Sequence, residues 1–219
     1  MMNQKRFSII VISILLMLAP YGCATYKATP LPILQPEFAP YSETIDGVTL
    51  SCKTLSEAEC KKYFDRDIID KGYQPVQLSI KNDTKKYILF SNQGVSLPVC
   101  SPEEVAEKVH TSTVGRAAGY GVAGIFIWPL LIPAVVDGIS SSQANTNLDR
   151  DFSDKNMEQI IINPFGTHSG IIFISNNNFQ DSFFVSLVDK ETKEKLEYNV
   201  RGLKGYHTGD TQPSEKSVK

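Results

Sequence analysis

Hydrophobic positions change their spacing several times along this chain, and each change marks an element. Residues 7–18 form an unbroken apolar run behind Lys5 and Arg6. About a dozen residues is short for a bilayer-spanning helix but suits the apolar part of a secretory signal. Past Asp46-Gly47, a turn signal, Val48, Leu50 and Cys52 alternate with polar residues, which predicts a half-buried strand. Ser56-Glu57-Ala58-Glu59 has the layout of a capping box, with Ser56 as N-cap and Glu59 at N3. The helix it opens would carry Cys60, Phe64 and Ile68 on one face, with Tyr63 beside them, and end at Gly72. Val76, Leu78 and Ile80 then alternate with polar residues. Lys81-Asn82-Asp83-Thr84 turns the chain into a second apolar run at 87–90, and the two are expected to pair as a hairpin.

Ser101-Pro102-Glu103-Glu104 is a further helix start, with Ser as N-cap, Pro at N1 and acids in the first turn; the helix should reach about His110. Ser140, Ala144, Leu148 and Phe152 recur every four residues, so another helix is expected from about Pro133. Four strands should follow, at 159–163, 170–175, 183–188 and 195–200. Pro164-Phe165-Gly166, Asn176-Asn177-Asn178 and Asp189-Lys190-Glu191-Thr192 separate them. The tail after Gly205 is polar and lacks periodicity, as a disordered segment does. Strands on both sides of a helical stretch predict an α+β fold. The expected form is an immunoglobulin-like β-sandwich over residues 46–204, with a helical, glycine-rich apolar insertion at about 101–156. It lacks the cysteine and tryptophan signature of antibody domains, since the only tryptophan, Trp128, lies in the insertion.

The glycine-rich insertion has its own pattern. Residues 117–136 carry no charge and are bounded by Arg116 and Asp137, a length that would span a membrane. Gly115, Gly119 and Ala123 follow small-xxx-small spacing, which allows a second helix to approach closely. Gly119, Gly121 and Gly124 lower helix propensity, however, and Pro129 and Pro133 would kink or stop a helix. Two short helices broken at Trp128-Pro129 suit these residues better than one straight span. Three roles stay open: a hairpin packed on the sandwich, a membrane-inserting segment, or a contact between copies. Gly115, Gly119, Ala123 and Trp128 are the candidate contact residues.

The N-terminus supplies the address. The basic Lys5-Arg6, the apolar run and Gly22 directly before Cys23 together resemble a bacterial lipoprotein signal. Where the usual lipobox has Leu and a small residue, this chain has Pro20 and Tyr21. The resemblance implies lipid on the Cys23 sulfur, cleavage after Gly22, and membrane lipid as a partner. Ala24 after the cysteine leans, by the same resemblance, toward the outer membrane. An uncleaved signal anchor, or an ordinary signal peptide with Cys23 in a disulfide, are the alternatives. Four prolines (Pro30, Pro32, Pro36, Pro40) fall within residues 23–45, which predicts an extended tether holding the domain off the membrane.

Composition narrows the function classes. Loss of residues 1–22 removes Lys5 and Arg6, leaving 20 basic against 24 acidic residues and a net charge of −4. That balance argues against nucleic acid as a partner. Export implies an oxidising compartment, so Cys52, Cys60 and Cys100 are candidates for one disulfide, as Cys52–Cys60 or Cys52–Cys100. Their spacing matches no zinc pattern, and His110, His168 and His207 lie far apart. Thr167-His168-Ser169-Gly170 lacks the nucleophile-elbow pattern. Asp149, Asp151 and Asp154 lack the glycine and glutamate of a calcium loop, and the glycines of 115–124 lack the ending of a phosphate loop. No catalytic residue, metal or cofactor is therefore expected.

YFDRD (63–67), GYQPVQLSI (72–80) and VGRAAGYGVAG (114–124) also resemble a group of uncharacterised bacterial lipoproteins, over most of residues 48–175. That resemblance implies no activity. The expectation is an envelope-anchored lipoprotein with a structural or interaction role, its partners envelope proteins or a second copy. A membrane-inserting component of an envelope assembly, acting through residues 115–136, is the second reading. An exported enzyme without a recognised motif is the third.

Overall fold

The computed structural model describes residues 26–110 and 131–206, with residues 131–141 described by backbone alone. The chain divides into two compact units. One takes in Lys27–Val109 and the residues from Asp149 onward, and it is α+β, built from two antiparallel sheets and short helices.

Strands β1 (Tyr41–Ile45) and β2 (Val48–Thr54) form a hairpin. Both turn residues, Asp46 (φ 48°) and Gly47 (φ 80°), take left-handed backbone, the conformation that a two-residue hairpin matching strand twist requires. Asp46-Gly47 is thus the middle of a hairpin, whose first strand begins at Tyr41, ahead of the expected start near residue 46. Helix α1 (Glu57–Phe64) opens with the expected capping box: Glu59 N–H donates to Ser56 Oγ, and the Glu59 carboxylate accepts from Ser56 N–H. It ends earlier than Gly72, because Asp65 adopts left-handed backbone (φ 51°) directly after Phe64. Ile68 is nonetheless fully buried.

Strand β3 (Tyr73–Asn82) is followed by β4 (Ile88–Ser91), β5 (Val99–Cys100) and helix α2 (Pro102–Val109). Ser101 Oγ accepts the Glu104 N–H, as an N-cap does. Helix α3 (Leu131–Lys155) leads to β6 (Gln159–Ile162), β7 (Thr167–Ser175), β8 (Phe183–Asp189) and β9 (Lys195–Val200). The first sheet has the order β1-β2-β3-β7-β5 and the second β6-β4-β8-β9.

The expected β3–β4 hairpin does not form: β3 pairs with β2 and β7, and β4 with β6 and β8. The turn between them changes sheet instead. Asn82 Oδ1 accepts from the Thr84 N–H and hydroxyl, while its Nδ2 donates to the carbonyls of Lys86 and Asn163. These bonds steer the chain across rather than back along β3. Likewise β6 and β7 are consecutive but lie in different sheets.

Period-two alternation sorts the side chains. Val48, Leu50, Cys52, Val76, Leu78, Ile80, Ile172 and Ile174 from the first sheet meet Ile88, Phe90, Ile162, Val185, Leu187 and Tyr198 from the second in one buried core. The other face of the first sheet is divided. Its β7 side is apolar, where Phe173 meets Phe64 of α1 and Phe152 of α3. Its β1–β3 side is polar: Ser42 Oγ lies 3.1 Å from Ser51 Oγ, and Thr44 Oγ1 2.8 Å from Thr49 Oγ1.

The other unit comprises Met1–Tyr26 and His110–Leu148. Its described part is Tyr26, His110 and α3 as far as Leu148. Ala144 and Leu148 are buried there, and Phe152, in the first unit, continues the same four-residue period. Among the described residues, no helix is long and apolar enough to cross a membrane.

Candidate interaction surfaces

The proline-containing segment is laid on the domain. Lys27 N–H donates to Asp65 Oδ2 (3.0 Å), and Thr29 donates both its N–H (3.0 Å) and its hydroxyl (2.9 Å) to the Lys62 carbonyl. Further on, Gln77 Nε2 on the polar side of the first sheet donates to the Pro32 carbonyl (2.6 Å), and Leu34 is buried. Among the described residues, this strap carries no helix or strand before Pro36, which opens a short 3-10 turn, Pro36–Phe38. The Gln77 bond to β3 and the Lys27 and Thr29 bonds at the end of α1 hold it on the domain, so residues 27–34 are not a free tether.

Beside the strap is a cleft of about 350 Å³ lined by Pro30, Leu31, Asp151, Asp154, Lys155 and Ser169. Its chemistry is largely committed. The buried Lys155 ammonium bonds the Tyr63 carbonyl and Asp151 Oδ2 (2.6 Å), and lies 5.1 Å from the Phe64 ring centroid. A cation on a carbonyl of the last turn of α1 is favoured by the helix dipole. Ser169 Oγ donates to the Leu78 carbonyl (3.0 Å) and accepts from Gln77. His168 pairs with Ile80 in register and so faces the opposite side of the strand from Ser169; the two cannot act together. Burial pushes the His168 pKa down.

The second sheet presents a different surface. Ile161, Leu89 and Val188 lie side by side across β6, β4 and β8, on the face away from the core. Lys195 continues the row on β9. Ile161 is 41% and Phe184 51% exposed. A groove of about 400 Å³ beside this row is lined by Leu89, Phe184, Ser186, Val188 and Lys195, among others. The sheet's paired backbone holds these apolar groups in fixed register, as a docking surface needs.

At the end of β8, Asp189 is 2% exposed. Its Oδ1 accepts the N–H groups of Glu191 (2.9 Å) and Thr192 (3.2 Å), and Oδ2 lies 3.2 Å from Lys86 Nζ. Those backbone bonds, with the nearby ammonium, hold its carboxyl down at about 2. The arrangement locks the β8–β9 turn.

The three described cysteines are free. Cys52 faces the core between the sheets, whereas Cys60 sits one turn before Phe64 on α1, which packs on the opposite face through Phe173. A sheet thus stands between the two thiols. Cys100 on β5 is three strand steps from β2, about 14 Å, twice the reach of a disulfide. The bridges Cys52–Cys60 and Cys52–Cys100 are accordingly not formed. Cys23, Gly115, Gly119, Ala123, Trp128 and His207 lie outside the described residues. His110 closes α2, and Asp151 and Asp154 are on α3 with Asp149. Among the described residues, no cluster of three or more His, Cys, Asp or Glu could hold a metal ion.

Sequence reasoning missed both the strap and the sheet-face row. The alternation at Leu89, Ile161, Phe184 and Val188 was visible, but the face it belongs to depends on which strands pair. No family model matches the chain, no curated protein matches it, and no solved structure matches it.

Proposed function

We propose that the protein is a bacterial envelope lipoprotein, held through lipid on Cys23 at the outer membrane, that binds a protein partner and performs no catalysis. The observation that carries the binding role is the row Ile161, Leu89 and Val188 with Phe184 beside it, apolar groups held on an outward sheet face. Apolar surface rimmed by polar groups, here Ser186, Glu197 and Lys195, is the kind that protein partners cover. The Gly22-Cys23 signal layout supports the address. The sandwich is read as immunoglobulin-like because consecutive strands change sheet, as Greek-key connections do. The glycine-rich residues 115–136 are read as part of an insertion between β5 and β6.

Two measurements test this. Radiolabelled palmitate should label the wild type and not Cys23→Ser; undiminished labelling of Cys23→Ser would sink the anchor. A photo-crosslinker at Phe184 in the native envelope should yield an adduct with an envelope protein or a second copy. That adduct should be lost on Leu89→Asp, and a crosslinker that stays monomeric overturns the binding role. A second reading, insertion of residues 115–136 into the membrane, is favoured by the uncharged run 117–136 within them. It predicts that a Cys23→Ser form with a cleavable signal stays in the membrane pellet through carbonate extraction.

A further inference from the structure

Residues close behind Cys23 are already bound to the sandwich unit. Lys27 N–H is held by Asp65, and Thr29 makes two bonds to the Lys62 carbonyl at the end of α1. Four residue steps separate Cys23 from Lys27, and four steps reach at most about 14 Å. A lipid on Cys23 therefore cannot hold this unit far from the bilayer. The charge at the same place is complementary. Lys61 pairs with Asp67 and Arg66 with Asp65, whereas Lys27 and Lys62 are exposed and have no ion-pair partner among the described residues. Lys62 Nζ lies 5.1 Å from the centroid of the buried Tyr63 ring. Two unpaired cations beside the anchor, in a chain of net negative charge, suit phosphate-bearing headgroups.

We infer that the C-terminal end of α1, with Lys27 and Lys62, rests on the phospholipid headgroup layer, so that the strap clamps the domain to the membrane instead of tethering it at a distance. The inference rests on the lipid anchor at Cys23. The contact and the row Ile161, Leu89 and Val188 lie on opposite sides of the first sheet, because α1 packs on the face that the second sheet does not cover.

The test uses the full lipidated chain in phosphatidylethanolamine–phosphatidylglycerol vesicles carrying headgroup spin-labelled lipid. In a Cys100→Ser background the remaining described thiols, Cys52 and Cys60, are buried, so a fluorophore reports only an introduced cysteine. Fluorescence should be lost with Lys62→Cys and with Lys27→Cys, and retained with Glu191→Cys in the β8–β9 turn. Inserting about twenty Gly/Ser residues after Ala24, with an r.m.s. span of about 25 Å, should restore the Lys62 and Lys27 signals. Equal fluorescence at positions 62 and 191 in lipidated protein overturns the clamp while leaving the anchor intact. Quenching that survives the insertion overturns it too. Failure of palmitate labelling in the same preparations instead removes the anchor reading itself.

Discussion

Phe152 of α3 and Phe173 of β7 lie nearly parallel, with 13° between their planes and 5.5 Å between ring centroids. Phe64 of α1 closes on both, at 4.6 Å from Phe152 and 5.7 Å from Phe173. Three elements distant in sequence meet at this cluster, and all three rings are fully buried. Phe173→Ala should destabilise the fold by about 3–5 kcal/mol, and Phe173→Leu by less. Urea unfolding followed by circular dichroism measures both; a Phe173→Ala midpoint equal to the wild type would show that the cluster is not part of the cooperative fold.

Gly170 admits the chain leaving α3. A Cβ built there would lie 2.8 Å from Met157 Cβ and 3.2 Å from the Lys155 carbonyl oxygen. Met157 N–H bonds the Ile171 carbonyl, so this approach is fixed by backbone on both sides. Gly170→Ala should cost about 1–3 kcal/mol through overpacking, read as a lowered thermal midpoint.

Asp189 makes acid stability predictable in sign. Its carboxyl is held at about 2, chiefly by the Glu191 and Thr192 N–H groups, against about 3.9 in an unfolded chain. The folded state therefore binds this proton less readily, and the stabilisation is present above about pH 4. It is lost as pH falls from about 4 toward about 2. Wild type and Asp189→Asn should differ in stability by a constant amount at neutral pH, and the difference should shrink across that acid window. A difference that grows on acidification would contradict the arrangement.

Thiol reactivity should separate the cysteines. Burial pushes the thiol pKa of Cys52 and Cys60 well up, while Cys100 is raised but only half-buried. In a native Cys23→Ser form, Ellman's reagent should titrate Cys100 slowly and leave Cys52 and Cys60 unreacted until denaturant is added. Mass spectrometry of the intact chain should show no disulfide between the three. Release of two thiols by reductant alone would overturn that.

Local signals in the sequence carried the elements well. The Ser56–Glu59 capping box, the Ser101 cap and the four-residue period through Phe152 depend on neighbours within a turn or two, and each marks the helix that forms. The four C-terminal strands fall within a few residues of their expected limits. What the sequence hid was pairing. Ile80 and Ile88 both read as strand residues, but whether they share a sheet is decided by Asn82, whose amide binds carbonyls at Lys86 and Asn163. The α1 boundary was hidden for a similar reason, since left-handed Asp65 stops the helix where apolar spacing would continue it. The strap escaped notice because prolines announce extension equally in a free linker and in a docked one. Only the bonds from Gln77 and Thr29 distinguish the two.

The placement of β7 beside β3 has a consequence for how the molecule is made. Gln77 and Ser169 touch across 92 residues of sequence. A chain synthesised from its N-terminus completes the β1-β2-β3 meander long before β7 exists to cover the free side of β3. During that interval β3 offers unpaired amides and carbonyls to any neighbouring chain. Non-local closure of this kind is slow, and it sets the aggregation risk at one edge and one moment. A carrier that shields β3 until residue 175 has emerged would relieve it.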